Sequence, residues 1–261
     1  MTPPASLASA EPTASAFRLS SPPVRLAGGG LILLGVGLNI PFALLGAMFE
    51  YPDILRQPTA DVLRRFQGGG APLIWTWYAF TLAALLLIPV SILVHDALAP
   101  ADGRRVSSAL RLATVAGVGA GLVQTLGLIR WVFAVPGLAA TFGDPASTDA
   151  ARAAAVVAFE SLHHYAGVAL GEHLGQLGTA IWAAGVTWEL SVQRSSLGWL
   201  GWLGLLSSAL IAVGLAEGFA TVIPFNPGVL GVATPVGYVG LSVWMVALGI
   251  SLLRRSAAAR G

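Results

Sequence analysis

At 261 residues, with a mean hydropathy of +0.78, only 10% charged residues and a formal net charge of +2, the chain is far more apolar than a soluble domain, which carries about 25% charged residues. Composition excludes a water-soluble globule and points to a polytopic membrane protein. The absence of cysteine excludes a disulfide framework, a thiolate metal site and a thiol nucleophile; the absence of lysine among fourteen basic residues excludes a Schiff-base pigment.

The apolar runs are continuous and do not alternate as barrel strands do over about 10 residues, so the expected fold is all-α. The N-terminal MTPPASLASAEPTASAFRLSSPPVRLAGGG is rich in Pro, Ser and Ala and lacks the compact regions of a signal peptide. Residues 1–26 read as a disordered cytoplasmic tail. Residues 27–255 read as one transmembrane domain of six helices, and 256–261 as a short cytoplasmic tail.

The first span is expected near 27–49, with Asn39-Ile40-Pro41 as a kink, and the second near 71–95. The third runs near 108–135 and ends in GLIRWVFAVP; the others fall near 165–191, 198–222 and 233–253. Each holds about 20 apolar residues, enough to cross a hydrocarbon core. Arginine placement sets the orientation. With the N-terminus inside, Arg18, Arg25, Arg104, Arg105, Arg111, Arg194, Arg254, Arg255 and Arg260 are cytoplasmic, against Arg56, Arg64, Arg65 and Arg152 outside. Both termini are then cytoplasmic in a bacterial inner (plasma) membrane, and the basic balance reflects helix anchors, not a nucleic-acid partner. Trp75, Trp77, Tyr78 and Trp131 are read as an outer aromatic belt, and Trp199 and Trp202 as an inner one.

Two outer segments have the pattern of interfacial amphipathic helices. YPDILRQPTADVLRRF sets Val62, Leu63 and Phe66 apart from Asp61, Arg64 and Arg65. After the good N-caps Ser147 and Thr148, helical patterning continues to residue 191, about 66 Å at 1.5 Å per residue. That is too long for one straight span, so a bend is expected near Gly167 or Gly171.

The titratable groups gather in ESLHHYAGVALGEHLGQ, Glu160 to Gln176, which holds three of the four histidines. Topology places Arg130 and Glu217 late in outward-running spans, and Glu172, His173 and Gln176 early in an inward-running one. Glu160, His163 and His164 lie just before it. All converge on the outer leaflet, where ionisable groups face the protein interior.

Three readings follow. Glu160, His163, His164, Glu172 and His173 can be metal ligands, since imidazole and carboxylate suit several transition metals. Carboxylate-bridged bundles, however, use two Glu-x-x-His copies, and one is present. His164 or His173 can ligate haem, although the only other histidine, His95, belongs to the cytoplasmic end of span two. In the third reading Arg130, Glu160, His164, Glu172, His173, Gln176 and Glu217 form an internal polar network. It would bind or transport a small solute or lipid headgroup, or fix the fold. The lipid bilayer is the one partner composition demands; glycine spacings such as Gly117-x-x-x-Gly121 and Gly171-x-x-x-Gly175 suit helix packing and allow an oligomer or partner subunit. No phosphate loop, Ser-His-Asp order, zincin motif or dinucleotide fingerprint is present, so no enzymatic motif stands out.

At YPDILRQPTADVLRRF, LIRWVFAVPGLA and AFESLHHYAGVALGEHLGQ the chain resembles a bacterial integral-membrane family, domain of unknown function 4386. The resemblance covers roughly residues 27–255 and implies a six-helix membrane protein. It implies no reaction, ligand or site residue.

Overall fold

A backbone surrounded by apolar side chains must satisfy its own hydrogen bonds, and the helix does so within one segment. In the computed structural model, which describes residues 22–100, 105–194, 198–220, 222–224, 226 and 228–258, every regular element is helical. Helix α1 (Pro22–Phe49) leads through a 3-10 turn (Asp53–Arg56) into α2 (Thr59–Leu85) and its continuation α3 (Leu87–Leu98). Then come α4 (Ser108–Leu128), the short α5 (Arg130–Phe133) and α6 (Val135–Gly143). Helix α7 (Asp149–Leu162) passes into a π-helical segment (His163–Leu174) and on into α8 (Gly175–Arg194). Helices α9 (Gly198–Gly214) and α10 (Ala216–Phe219), a 3-10 turn (Gly228–Val232) and α11 (Ala233–Ala258) complete the described chain.

The helices close into a ring. Helix α1 packs on α11, α11 on α9, α9 on α8, α8 on α4, α4 on α3, and α2 and α3 back on α1. Five helical stretches are long and apolar enough to cross a membrane: Pro23–Phe49, Thr59–Leu98, Ser108–Gly143, Gly198–Phe219 and Ala233–Ala258. Their outward faces stay uncovered; Leu33, Ile40, Leu112, Val115, Val213 and Val239 are all exposed. So extensive an apolar exterior fits contact with lipid, not water. The chain is a multi-pass membrane protein. The expected fourth span, 165–191, is helical but is not one of the five. It carries Glu172, His173, Gln176, Thr179, Thr187 and Glu189, which dilute its apolarity.

The boundaries move where local chemistry dictates. Helix α1 starts at Pro22, so residues 22–26 of the expected tail are helical; residues 1–21 lie outside the described residues. Proline is well tolerated in the first turn, where its missing N–H has no helical partner. At the far end α11 runs to Ala258, into the expected C-terminal tail, whose last residues also lie outside. Gly70 has φ 56, open to glycine at little cost, and it divides α2. Before it lies the amphipathic stretch read from the sequence, with Val62, Leu63 and Phe66 buried and Asp61, Arg64 and Arg65 exposed. Thr148 caps α7 by accepting from the Ala151 N–H at 3.2 Å.

Between α7 and α8 there is no break in helical structure. The expected bend at Gly167 or Gly171 is replaced by twelve residues of π-helix containing both glycines. Bonding from i to i+5 changes the phase of the side chains. Helix α7 accordingly buries Ala155 and Phe159 against α6 and α2, while α8 buries Trp182 and Ala183 between α4 and α9.

Two apolar cores result. One runs along the ring from Val24 and Leu31 through Val90, Trp182 and Trp244 to Leu252. The second gathers Phe49, Phe66, Trp77, Trp131, Val135 and Phe159 at the end of the ring reached by the α1–α2 turn. Trp77 and Trp131 are therefore core residues, not members of an aromatic belt: their rings stack at 4.6 Å and 7°. Trp75, Trp199 and Trp202 do face outward. Truncating Trp131 to Ala should cost about 3–5 kcal/mol, the usual loss for a large buried aromatic, and Trp131→Phe less. Thermal unfolding in mild detergent checks this, with exposed Trp202→Ala as the comparison that should hardly shift.

Candidate functional site

Arg130 lies at the seam between α4 and α6, where the Val132 N–H bonds back three residues to the Ile129 carbonyl at 3.0 Å. Its residue is only 6% exposed. The guanidinium donates from Nη1 to the Gly127 carbonyl, and its Cζ lies 5.2 Å from the Trp131 ring centroid, cation over aromatic face. Across from it is Gly167, where an added Cβ would stand 2.8 Å from Arg130 Cζ. Only glycine leaves room for this side chain. Three residues before Arg130, Gly127 meets Gly171 backbone to backbone, an added Cβ on Gly171 lying 3.2 Å from Gly127 Cα. This pair seats the π segment on α4. Among the described residues, Arg130 Nε has no hydrogen-bond partner.

The π segment brings Glu172 into electrostatic contact with Arg130 and with Tyr51, which follows α1. No direct ion pair joins Glu172 to Arg130 among the described residues. Burial, reinforced by the Glu172 carboxylate, raises the Tyr51 phenol above its ordinary pKa and keeps it protonated. Deeper along the ring, Tyr238 of α11 is hydrogen-bonded to Thr179 of α8. Thr179 Oγ1 accepts from Gln124 Nε2 at 2.9 Å and donates to the Gly175 carbonyl at 2.8 Å. Above Glu172, Arg56 of the 3-10 turn pairs with Glu217 of α10 and interacts electrostatically with Glu172 as well. Arg56 closes the 3-10 turn that precedes α2 and Glu217 lies in α10, so their pair crosses the mouth of the ring.

The residues singled out from the sequence separate into two groups. Arg130, Glu172, His173, Gln176 and Glu217 all belong to this end of the ring; His173 packs edge-on to Phe219 at 5.2 Å, and Gln176 is half-buried in the first turn of α8. Glu160 and His164 are exposed. The Glu160 carboxylate accepts from Thr59 Oγ1 at 2.9 Å and ties α7 to α2, while His164 Nδ1 lies 3.0 Å from the Glu160 carbonyl. His163 instead approaches Arg130, its ring stacked on Phe159 at 5.7 Å. Glu160 and His164 stand one turn apart on one exposed face, and His163 lies beside that face toward Arg130.

The same division separates the five expected metal ligands. Among the described residues, no three of the His, Asp and Glu side chains are placed to hold a metal ion. Glu160 and His164 face outward, His173 faces Phe219, and the guanidinium beside His163 and Glu172 would repel a cation there. His95 lies at the other end of the ring, 2.8 Å from Thr114 Oγ1.

Tyr51, Thr179 and Tyr238 escaped the sequence reading because hydroxyls in apolar runs give no periodic signal. Glu189, 8% exposed near the end of α8, also escaped, although an intramembrane carboxylate was visible there. It accepts from Ser107 Oγ at 2.5 Å and from Gln193 Nε2 at 3.0 Å.

Two expectations test this geometry. Burial, then Arg130 and His164, pushes His163 down to about 4 from 6.5. The unfolded chain takes up this proton below 6.5 and the folded chain only near 4, so acid destabilises the fold across that window. His163→Phe keeps the stack and removes the acceptor; its thermal midpoint should fall less than the parent's between those pH values. For the charges, Arg130→Met or Glu172→Gln alone leaves the other poorly compensated. The double substitution should cost less than the sum, with a coupling of order 1 kcal/mol in a thermal-stability cycle; additive costs would show that the two charges act independently.

No curated protein and no solved structure was found to match the chain. The profile of the family described as Domain of unknown function (DUF4386) matches residues 26–249. The chain belongs to that family.

Proposed function

We propose that the Arg130 end of the ring is a binding site, in the outer leaflet, for the anionic group of a small solute or lipid headgroup. In this reading residues 165–191, from within the π segment through α8, form a sixth span, and arginine asymmetry orients both termini to the cytoplasm of a bacterial inner membrane. The amphipathic part of α2 and helix α7 then lie in the outer headgroup region.

The observation that carries the reading is the guanidinium itself. A buried cation needs acceptors, yet among the described residues Arg130 donates to one backbone carbonyl, its Nε has no partner, and Glu172 makes no direct pair with it. A carboxylate or phosphate oxygen matches the planar donor fork of arginine. The Tyr51 hydroxyl is a second donor, and the Arg56–Glu217 pair controls the mouth. Intramembrane charges of this kind mark substrate pathways and sites.

Thermal stabilisation in detergent by glycerol phosphate, short carboxylates and anionic or zwitterionic phospholipids tests the proposal. At least one class should raise the midpoint of the parent protein and fail to raise that of Arg130→Lys or Tyr51→Phe. Stabilisation by phospholipid alone identifies a headgroup, and by free anions a solute. A panel without any Arg130-dependent stabiliser overturns the reading.

A further inference from the structure

Oppositely charged side chains inside a membrane protein ordinarily pair with one another. Arg130 and Glu172 do not. Among the described residues the guanidinium donates to one carbonyl, and the Glu172 carboxylate makes neither a hydrogen bond nor an ion pair. Packing holds each of them in place separately. Arg130 lies over Trp131 with Gly167 opposite, while Glu172 belongs to the π segment that Gly171 seats on Gly127. The other cation acting on Glu172, Arg56, is already paired with Glu217.

Two phenols stand beside these charges. Tyr51 interacts electrostatically with both Arg130 and Glu172, and Tyr238 with Tyr51 and Glu172. The Tyr51 ring is fixed edge-on against Trp77 at 5.2 Å and Phe42 at 5.5 Å. Its hydroxyl makes no hydrogen bond among the described residues. Tyr51, Glu172 and Tyr238 come from three separate elements, and none of the three is fully buried where they gather.

We propose that the ligand of the Arg130 site is a zwitterion, with its acid group on Arg130 and a primary ammonium on Glu172. The proposal rests on the binding reading above and adds the second charge. A guanidinium only donates hydrogen bonds and an ionised carboxylate only accepts them. A ligand carrying both an acid oxygen and N–H donors satisfies the two groups together. It brings no net charge, so Glu172 stays ionised; a simple anion enters only with a proton on Glu172. Arg130, Arg56, Tyr51 and Tyr238 act on Glu172 from the other elements, with His173 beside it on its own. The Tyr51 hydroxyl donates to the acid group or accepts from the ammonium. A quaternary ammonium has no N–H to offer Glu172, so the site prefers a primary amine. Amino acids and the ethanolamine phosphodiester, free or as a lipid headgroup, share this chemistry.

Thermal midpoints of the full chain in mild detergent test the proposal through matched ligands. Glycine is compared with glycolate, and glycerophosphoethanolamine with glycerophosphoglycerol and glycerophosphocholine. Phosphatidylethanolamine is compared with phosphatidylglycerol as added lipid. In at least one series the primary-ammonium member should stabilise at about tenfold lower concentration than its partners, the usual loss when a charged hydrogen bond is missing. A soluble zwitterion acting alone identifies a solute, and the lipid alone a headgroup. Glu172→Gln should abolish the preference and keep the Arg130-dependent response to the simple anion. Simple anions that stabilise the parent as well as the zwitterions overturn this proposal and leave the anion site standing. A complete lack of Arg130-dependent stabilisation overturns both. If Glu172→Gln does not fold, the ranking of ethanolamine over glycerol and choline in the parent protein decides alone.

Discussion

The guanidinium of Arg130 is a buried cation, and one end of the ring is arranged around it. Taking such a cation out of water costs several kcal/mol even after relaxation. The chain offsets that with a carbonyl from Gly127, the face of Trp131 and the nearby charge of Glu172. Each contribution imposes a further condition. Trp131 must be fixed, so it stacks on Trp77 inside a cage of Phe49, Phe66 and Phe159. Glu172 must come close, so Gly127 and Gly171 meet without side chains between them.

The seam between α1 and α11 is held by other means. Between apolar helices in lipid, attraction comes from close packing and a few hydrogen bonds. Gly28 and Gly249 let α1 and α11 touch backbone to backbone, and Asn39 Nδ2 donates to Ser242 Oγ at 2.8 Å across the same seam. That seam joins the first and last helices and closes the ring. Helix α8 contributes Thr179, Thr187 and Glu189 to the buried polar groups of the bundle, which is why its sequence is less apolar than that of its neighbours.

The fold class and most helix positions were legible because long apolar runs permit little else in lipid. The amphipathic face of Val62, Leu63 and Phe66 was legible for a similar reason: a 3.6-residue period survives even in a short segment. The π segment was not. Its glycines marked the right place, but a sequence does not distinguish a bend from a change in hydrogen-bond register. Glu160 and His164 share a face, as their spacing implies, but both were assigned to the interior, whereas that face is exposed and His163 beside it approaches Arg130. Trp77 and Trp131 were misplaced because tryptophan is at home in both a membrane interface and a core. The gathering of Arg130, Glu172, His173 and Glu217 at one end could be anticipated from topology alone, since depth along a span follows from counting.

Charge also governs what the Arg130 end of the ring can accept. Around the mouth stand two arginines, Arg56 and Arg130, and two glutamates, Glu172 and Glu217. On the reading proposed above, an anion arriving at Arg130 adds a negative charge in a medium where unpaired charge is expensive. The nearest group able to remove it is Glu172, by taking up a proton. Anion binding and protonation of Glu172 then favour each other by the same free energy, whichever comes first. On that reading, anion binding at Arg130 and protonation of Glu172 are one coupled equilibrium.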